Sequence, residues 1–232
     1  MSGESLSVVI MAYNEAENLP GQVKATVRWL GRACPEGGQV VVVDDGSTDG
    51  TGELADRLAA EHPEVTVVHH PRNLGMGRAI WSGYVAARGE WVTQLPGDGQ
   101  VPPEALEALM ARRGEGDLVL SAYRDRGDGP LRRLVSLGFQ ATAWALLGNR
   151  CRFTGTMLFR RRLLEGVSPR SASFLVNVEL PLRWMRQGVR PVFVTLDPPR
   201  PRAHGRSKVL TPGRIRRVVR EMLVLRRELR DS

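Results

Sequence analysis

Three short stretches of this chain gather carboxylates, amides and hydroxyls: Tyr13-Asn14-Glu15, Asp44-Asp45-Gly46-Ser47 and Gly97-Asp98-Gly99-Gln100. Each follows an apolar run, so each lies where a buried strand would reach the surface. Adjacent carboxylates at a strand end repel one another unless a cation or hydrogen-bond donor faces them, and a ribose or the amide-like edge of a base can supply such donors. A turn-and-cap role for Asp44, Asp45 and Ser47 is the competing reading, since Asp and Ser are good helix caps. The three loops taken together favour a ligand. The run Asn73-Leu74-Gly75-Met76-Gly77-Arg78 reads as a tight turn at a helix N-terminus, near a phosphate.

The elements that must position these loops follow from the apolar pattern. Leu6 to Ala12 and Val40 to Val43 are continuous apolar runs rich in β-branched residues and predict buried parallel strands. Glu15 to Ala33 has helical spacing and ends in a Gly-Gly breaker. The alternation continues with a helix at 51–61, a strand at 65–69, a helix at 76–88, a strand at 91–95, a helix opening at Pro102-Pro103-Glu104 and a strand at 118–122. Successive βα units imply a doubly wound sheet, with ligands outside the carboxyl ends of its strands. Beyond Arg124 the pattern predicts a helix at 131–147, a strand at 156–160, a helix at 174–187 interrupted by Pro181, a strand at 189–196 and a helix at 213–229. Residues 1–123 and 124–232 read as two halves of one continuous domain.

Composition narrows the classes. The 232 residues are 42% hydrophobic and 25% charged, as in globular proteins, which argues against a disordered or fibrous chain. The longest weakly polar run, 134–148, is too short to span a bilayer. The net charge is +8, and only Lys24 and Lys208 among the 33 basic residues are lysines. This excess suits anionic partners, although an arginine bias also follows from genome composition. No G-x-G-x-x-G opens the first helix and no Walker A lysine motif occurs, which disfavours nicotinamide and P-loop chemistry. Cys34 and Cys151 have no metal or C-x-x-C spacing, the four histidines have none either, and no signal peptide is evident at the N-terminus. Free thiols and a cytoplasmic location are expected, with no zinc site. The arginines lack interleaved aromatics, so nucleic acid is not the expected partner.

In order and spacing, the chain resembles the family 2 glycosyltransferases of the GT-A fold, and within them the polyprenyl-phosphate (dolichol-phosphate) mannosyl- and glucosyltransferases. The anchors are Val8-Val9-Ile10 leading to Tyr13-Asn14-Glu15-Ala16-Glu17-Asn18-Leu19-Pro20, then Val43 to Thr51, Asn73-Leu74-Gly75 through Gly83, and Asp98-Gly99-Gln100. Phe159-Arg160-Arg161, Glu179 and Arg202 to Lys208 complete the set. The resemblance implies a Rossmann-like, mostly parallel α/β sheet flanked by helices, with a C-terminal acceptor-side extension. It implies transfer of a hexose, mannose favoured, from a nucleotide diphosphate sugar to a polyprenyl phosphate with inversion. Ala12, Tyr13, Glu15, Asp44 and Asp45 would contact the base and ribose, and Gly97, Asp98, Gln100, Arg124 and Ser207 would complete the donor site. Asp98 and Gln100 would hold Mg²⁺ or Mn²⁺, and Arg202, Ser207 and Lys208 would bind phosphate oxygens of donor or acceptor, either GDP-mannose or UDP-glucose serving as donor.

The departures are specific. The family usually carries Asp-x-Asp at the end of the fourth strand, where this chain reads Pro96-Gly97-Asp98. One carboxylate plus Gln100 and the donor's own phosphates could form a weak metal site, or arginines could substitute. Glu179 is the one base candidate; a phosphate acceptor, largely ionised at neutral pH, would not need it. A helical pair with Arg183 four residues on is its alternative role. The basic, amphipathic C-terminal helix suits either peripheral contact at the inner membrane face or packing on the core. The 131–147 stretch, with Arg132, Arg133, Phe139 and Trp144, is a second interfacial candidate. Two other functions stay open: a soluble transferase with a hydroxyl acceptor, and a degenerate sugar-nucleotide-binding protein.

Overall fold

The computed structural model describes residues 5–35, 37–124, 138, 141–143, 145–147, 155–201 and 212–231. The apolar, β-branched runs form strands as their composition requires. β1 (Leu6–Ala12), β2 (Gly38–Asp44), β3 (Val65–His69), β4 (Trp91–Pro96), β5 (Leu118–Tyr123), β6 (Met157–Arg160) and β7 (Pro191–Leu196) make one sheet in the order β3-β2-β1-β4-β6-β5-β7. All pairs are parallel except those of β6, which runs antiparallel to both β4 and β5. The expected doubly wound sheet is therefore mostly parallel, with one reversed strand set into it. Residues on both sides of position 124 build the same sheet.

Helices α1 (Leu19–Ala33), α2 (Thr51–Glu61) and the short α4 (Glu107–Met110) cover one face, burying Leu19, Trp29, Leu58 and Leu109. The other face is covered by α3 (Met76–Ala86) and α5 (Val176–Arg186). There Phe159 sits 4.9 Å from Tyr84 and 4.8 Å from Trp184 by ring centroids, a cluster in which truncating one ring to Ala costs about 3–5 kcal/mol. α5 is apolar on two sides. Val176, Leu180 and Trp184 meet the sheet, while Val178 and Leu182 pack with Val218, Met222, Leu225 and Leu229 of α6 (Pro212–Asp231). This double burial lets α5 continue through Pro181, which lacks a helix-bonding N–H.

Several boundaries differ from the periodicity. The first helix begins at Leu19 rather than Glu15, because the Glu15 carboxylate and backbone N–H are taken by Asn18 and Thr51, leaving 15–18 as a turn. The Pro102-Pro103 start gives a 3₁₀ turn, Pro103–Leu106, before α4. Most of the expected 131–147 helix lies outside the described residues, as do Cys151, Arg202, His204, Ser207 and Lys208; residues 138, 141–143 and 145–147 are helical.

Candidate active site

β1 lies between β2 and β4, so the polar segments after these three strands emerge side by side. The Asp45 N–H donates to the Ala12 carbonyl at 2.9 Å and the Gly97 N–H to the Met11 carbonyl at 3.0 Å. Asn14, with φ of 54°, clasps the second loop: its N–H donates to Ser47 Oγ at 2.9 Å and its Oδ1 accepts from the Thr48 N–H at 2.9 Å. The structure thus brings Ala12, Tyr13, Glu15, Asp44, Asp45, Gly97, Asp98 and Gln100 to one edge. Arg124 is exposed just beyond β5 at the same edge, with β6 intervening, and its N–H donates to the Leu196 carbonyl at 2.8 Å.

Asp44 and Asp45 are both buried, and the chain itself supplies the donors that face them. Asp44 accepts from the Ser47 N–H at 3.0 Å and lies 3.4 Å from His69 Nδ1. Asp45 accepts from the N–H groups of Leu74 and Gly75, both at 2.9 Å, and pairs with His70 Nδ1 at 2.7 Å; His70 Nε2 reaches Ser82 Oγ at 2.9 Å. The repulsion expected of neighbouring carboxylates is relieved by directing them to different partners, without a ligand. Gly46 makes this packing possible: its φ is +70°, and a Cβ there would lie 2.3 Å from the Arg72 backbone.

His69 and His70 were not expected at the site. The signal was in the register, because parallel pairing sets Asp44 opposite His69 at the strand ends. His69 Nε2 also lies 2.9 Å from Asp56 Oδ1. The Asp56 hydrogen bond, opposed by burial and aided by Asp44, raises the His69 pKa above its ordinary value.

At the end of β4, Asp98 is half-buried and its Oδ1 accepts from the Gln100 N–H at 3.1 Å. The Gln100 side-chain amide donates to the Arg200 carbonyl at 3.0 Å, and the Arg200 N–H returns to the Gln100 carbonyl at 2.8 Å. Gln100 thereby ties this loop to the segment that leads into 202–208. A hard divalent cation takes oxygen ligands and keeps several waters. Asp98 supplies one carboxylate, and among the described residues no group of three or more His, Cys, Asp or Glu side chains is arranged to hold a metal. This donor set fits a cation shared with a ligand's own phosphate oxygens.

Glu179 belongs to a different arrangement. It is 1% exposed, and its carboxylate accepts from the Arg170 and Ser171 N–H groups at 3.1 and 3.0 Å and from Arg183 at 2.7 and 2.9 Å. Burial acts to raise its pKa, but the hydrogen bonds from Ser171, Arg170 and Arg183 outweigh it and hold the carboxyl below the usual range. The helical pair with Arg183 expected from their spacing forms, but inside the protein and not on its surface, and Arg183 continues to Glu228 of α6 at 2.6 Å. The loop that Glu179 fixes packs on the turn held by Asp45: the Gly77 N–H donates to the Ala172 carbonyl at 3.0 Å, and a Cβ on Gly75 would lie 2.6 Å from that oxygen. Glu179 is connected to the site edge through this loop.

Comparison with known proteins agrees with this architecture. An undecaprenyl-phosphate 4-deoxy-4-formamido-L-arabinose transferase of Pseudomonas paraeruginosa is 37% identical over 174 residues, 70% of this chain and 49% of its own. A dolichyl-phosphate beta-glucosyltransferase of Trichomonas vaginalis is 29% identical over 147 residues, 56% of this chain and 44% of its own. The chain thus spans about half the length of these relatives. Glucosyl-3-phosphoglycerate synthase from Mycobacterium tuberculosis, solved with Mn²⁺, UDP and glucosyl-3-phosphoglycerate, superposes with a TM-score of 0.73 at 23% identity, over 97% of this chain and 80% of that one. The fold is that of the GT-A glycosyltransferases. The profile of Glycosyl transferase family 2 matches residues 7–168, from β1 to just beyond β6, and takes in all three converging loops; the chain belongs to that family.

Proposed function

We propose that this chain carries a glycosyltransferase activity that moves a hexose from a nucleotide diphosphate sugar to a polyprenyl phosphate with inversion. The observation that carries the reading is the convergence of Ala12, Asp44 and Asp98 on the carboxyl edge of three adjacent strands, in a family whose relatives include polyprenyl-phosphate sugar transferases. In the reaction, a phosphate oxygen of the acceptor forms a bond to the anomeric carbon as the bond from that carbon to the diphosphate breaks. The nucleoside diphosphate departs with the electron pair.

The base and ribose would lie over Ala12, Tyr13 and the Asp44 loop, in the crevice outside the strand ends. Asp44 is pre-oriented by Ser47 and His69, while Asp45 maintains the 70–75 turn beneath. Asp98 would hold Mg²⁺ or Mn²⁺ together with the donor diphosphate, the cation neutralising charge on the leaving group when bound. Gln100, whose side-chain amide donates to the Arg200 carbonyl, is proposed to brace the 200-segment in place of the metal-ligand role first expected of it, and Arg124, Arg202, Ser207 and Lys208 are proposed to contact phosphate. A phosphate acceptor is already ionised and needs no base, consistent with the internal placement of Glu179.

GDP-mannose is the proposed donor by family resemblance, and a UDP-sugar is the second reading, supported by the UDP bound in glucosyl-3-phosphoglycerate synthase, which shares this fold. The basic chain would work in the cytoplasm in peripheral contact with the membrane; among the described residues no helix is long and apolar enough to cross it. A panel of GDP- and UDP-sugars, with and without Mn²⁺, tests the donor by thermal shift, and nucleoside diphosphate release on adding polyprenyl phosphate tests the transfer. Donor binding without release under any metal or acceptor condition would refute the transfer.

A further inference from the structure

α6 sorts its side chains by charge. Glu221 turns inward to the Ala172 N–H at 3.3 Å and the Ser173 hydroxyl, and Glu228 turns inward to Arg183 and to Arg170 at 2.6 and 2.8 Å. Val218, Met222, Leu225 and Leu229 form the buried stripe. Core packing therefore accounts for one face of this amphipathic helix and leaves the other in solvent.

At 3.6 residues per turn, Arg216, Arg220, Leu223 and Arg227 make one stripe on that outer face, flanked by Val219 and Val224. All six are exposed, and Val219, Leu223 and Val224 are 39%, 45% and 40% accessible. Core packing does not account for three aliphatic side chains set among arginines on the solvent side. Cations interleaved with exposed aliphatic residues match an anionic interface that is apolar just below its charged layer.

We propose that this face of α6 docks on an anionic lipid surface. The docking rests on the polyprenyl-phosphate reading for its purpose, and α6 is placed to serve it. The Arg217 guanidinium would lie 4.0 Å from a Cβ on Gly75, the glycine whose N–H is held by Asp45, so the helix passes beside the proposed donor site. Contact through α6 would keep that edge at the headgroup layer, where the phosphate of a lipid-borne acceptor resides.

Co-sedimentation with phosphatidylcholine vesicles, with and without phosphatidylglycerol, tests the assignment. The full chain should bind only the anionic vesicles, and less at raised salt. The triple variant Arg216→Gln/Arg220→Gln/Arg227→Gln should weaken that binding roughly 100-fold, and Val219→Ser/Leu223→Ser should weaken it about tenfold. Melting temperatures should stay near that of the parent. Equal binding to neutral vesicles, no binding to anionic ones, unchanged binding by the triple variant, or tighter binding to a DNA duplex than to vesicles would each overturn the proposal. Transfer to a short-chain polyprenyl phosphate in detergent reads the activity separately: vesicle binding without such transfer would remove the proposed function and leave the docking standing.

Discussion

Gln100 and Arg200 exchange two hydrogen bonds, a side-chain amide to a backbone carbonyl at 3.0 Å and a backbone N–H to a backbone carbonyl at 2.8 Å. This is how the loop after β4 meets a segment a hundred residues further along. Gln100→Ala removes the first bond and leaves the Asp98 carboxylate in place. Donor affinity should fall about five- to tenfold, the loss of one hydrogen bond of roughly 1 kcal/mol, with the Mn²⁺ concentration dependence unchanged. Asp98→Ala should shift the Mn²⁺ dependence itself. Titrating both variants with metal and donor separates brace from ligand; an altered metal dependence in Gln100→Ala would return Gln100 to the coordination shell.

Asp45 receives two backbone N–H groups and His70 while buried. Asp45→Ala would leave these donors without an acceptor, so a loss of about 3 kcal/mol is expected in urea unfolding. Asp45→Asn should lose less. His70→Ala should cost about 1–2 kcal/mol, because Asp45 retains its two amides.

The raised pKa of His69 has a defined sign. Its stabilising contribution is complete below the ordinary histidine value of about 6.5 and disappears as pH rises through the higher folded value. His69 is 43% exposed, so solvent screening keeps the effect on stability small. An NMR titration should place His69 above an unstructured histidine. Asp56→Asn should bring it down, since the Asp56 hydrogen bond is the largest cause of the rise.

Glu179 predicts the opposite dependence. Its lowered pKa contributes stability above the ordinary glutamate value of about 4.3, which is lost as pH falls through the folded value. Glu179→Ala should destabilise the fold by about 3–5 kcal/mol, leaving Arg183 and two amides without their shared acceptor. Glu179→Gln keeps one acceptor oxygen and should cost less. If Glu179→Gln retained the parent melting temperature but lost turnover, it would be a base and not an anchor, and the hydroxyl-acceptor reading would be favoured.

Much of the scaffold was legible in the sequence. α2 and β3 begin and end at the residues predicted, because both lie between clear turn signals. The direction of β6 was not legible: four residues, Met157–Arg160, have the same composition whichever way they run. At the site, the three loops were found from polarity at strand ends, which local sequence carries. The histidines facing Asp44 and Asp45 were missed because that relation exists only after β2 and β3 pair in register. For Glu179, the spacing to Arg183 was visible, but its burial depends on the 170–171 loop folding back over it and on α6, whose Glu228 meets Arg183 from 45 residues further along.

The reversed β6 strand also bears on how the protein is made. Until residues 157–160 arrive, β4 and β5 have no neighbour between them, and a nascent or truncated chain ending near 124 would expose the unpaired margin of β4. Open strand margins template association with other chains. The first half should therefore be insoluble when expressed alone, and recover when the second half is co-expressed.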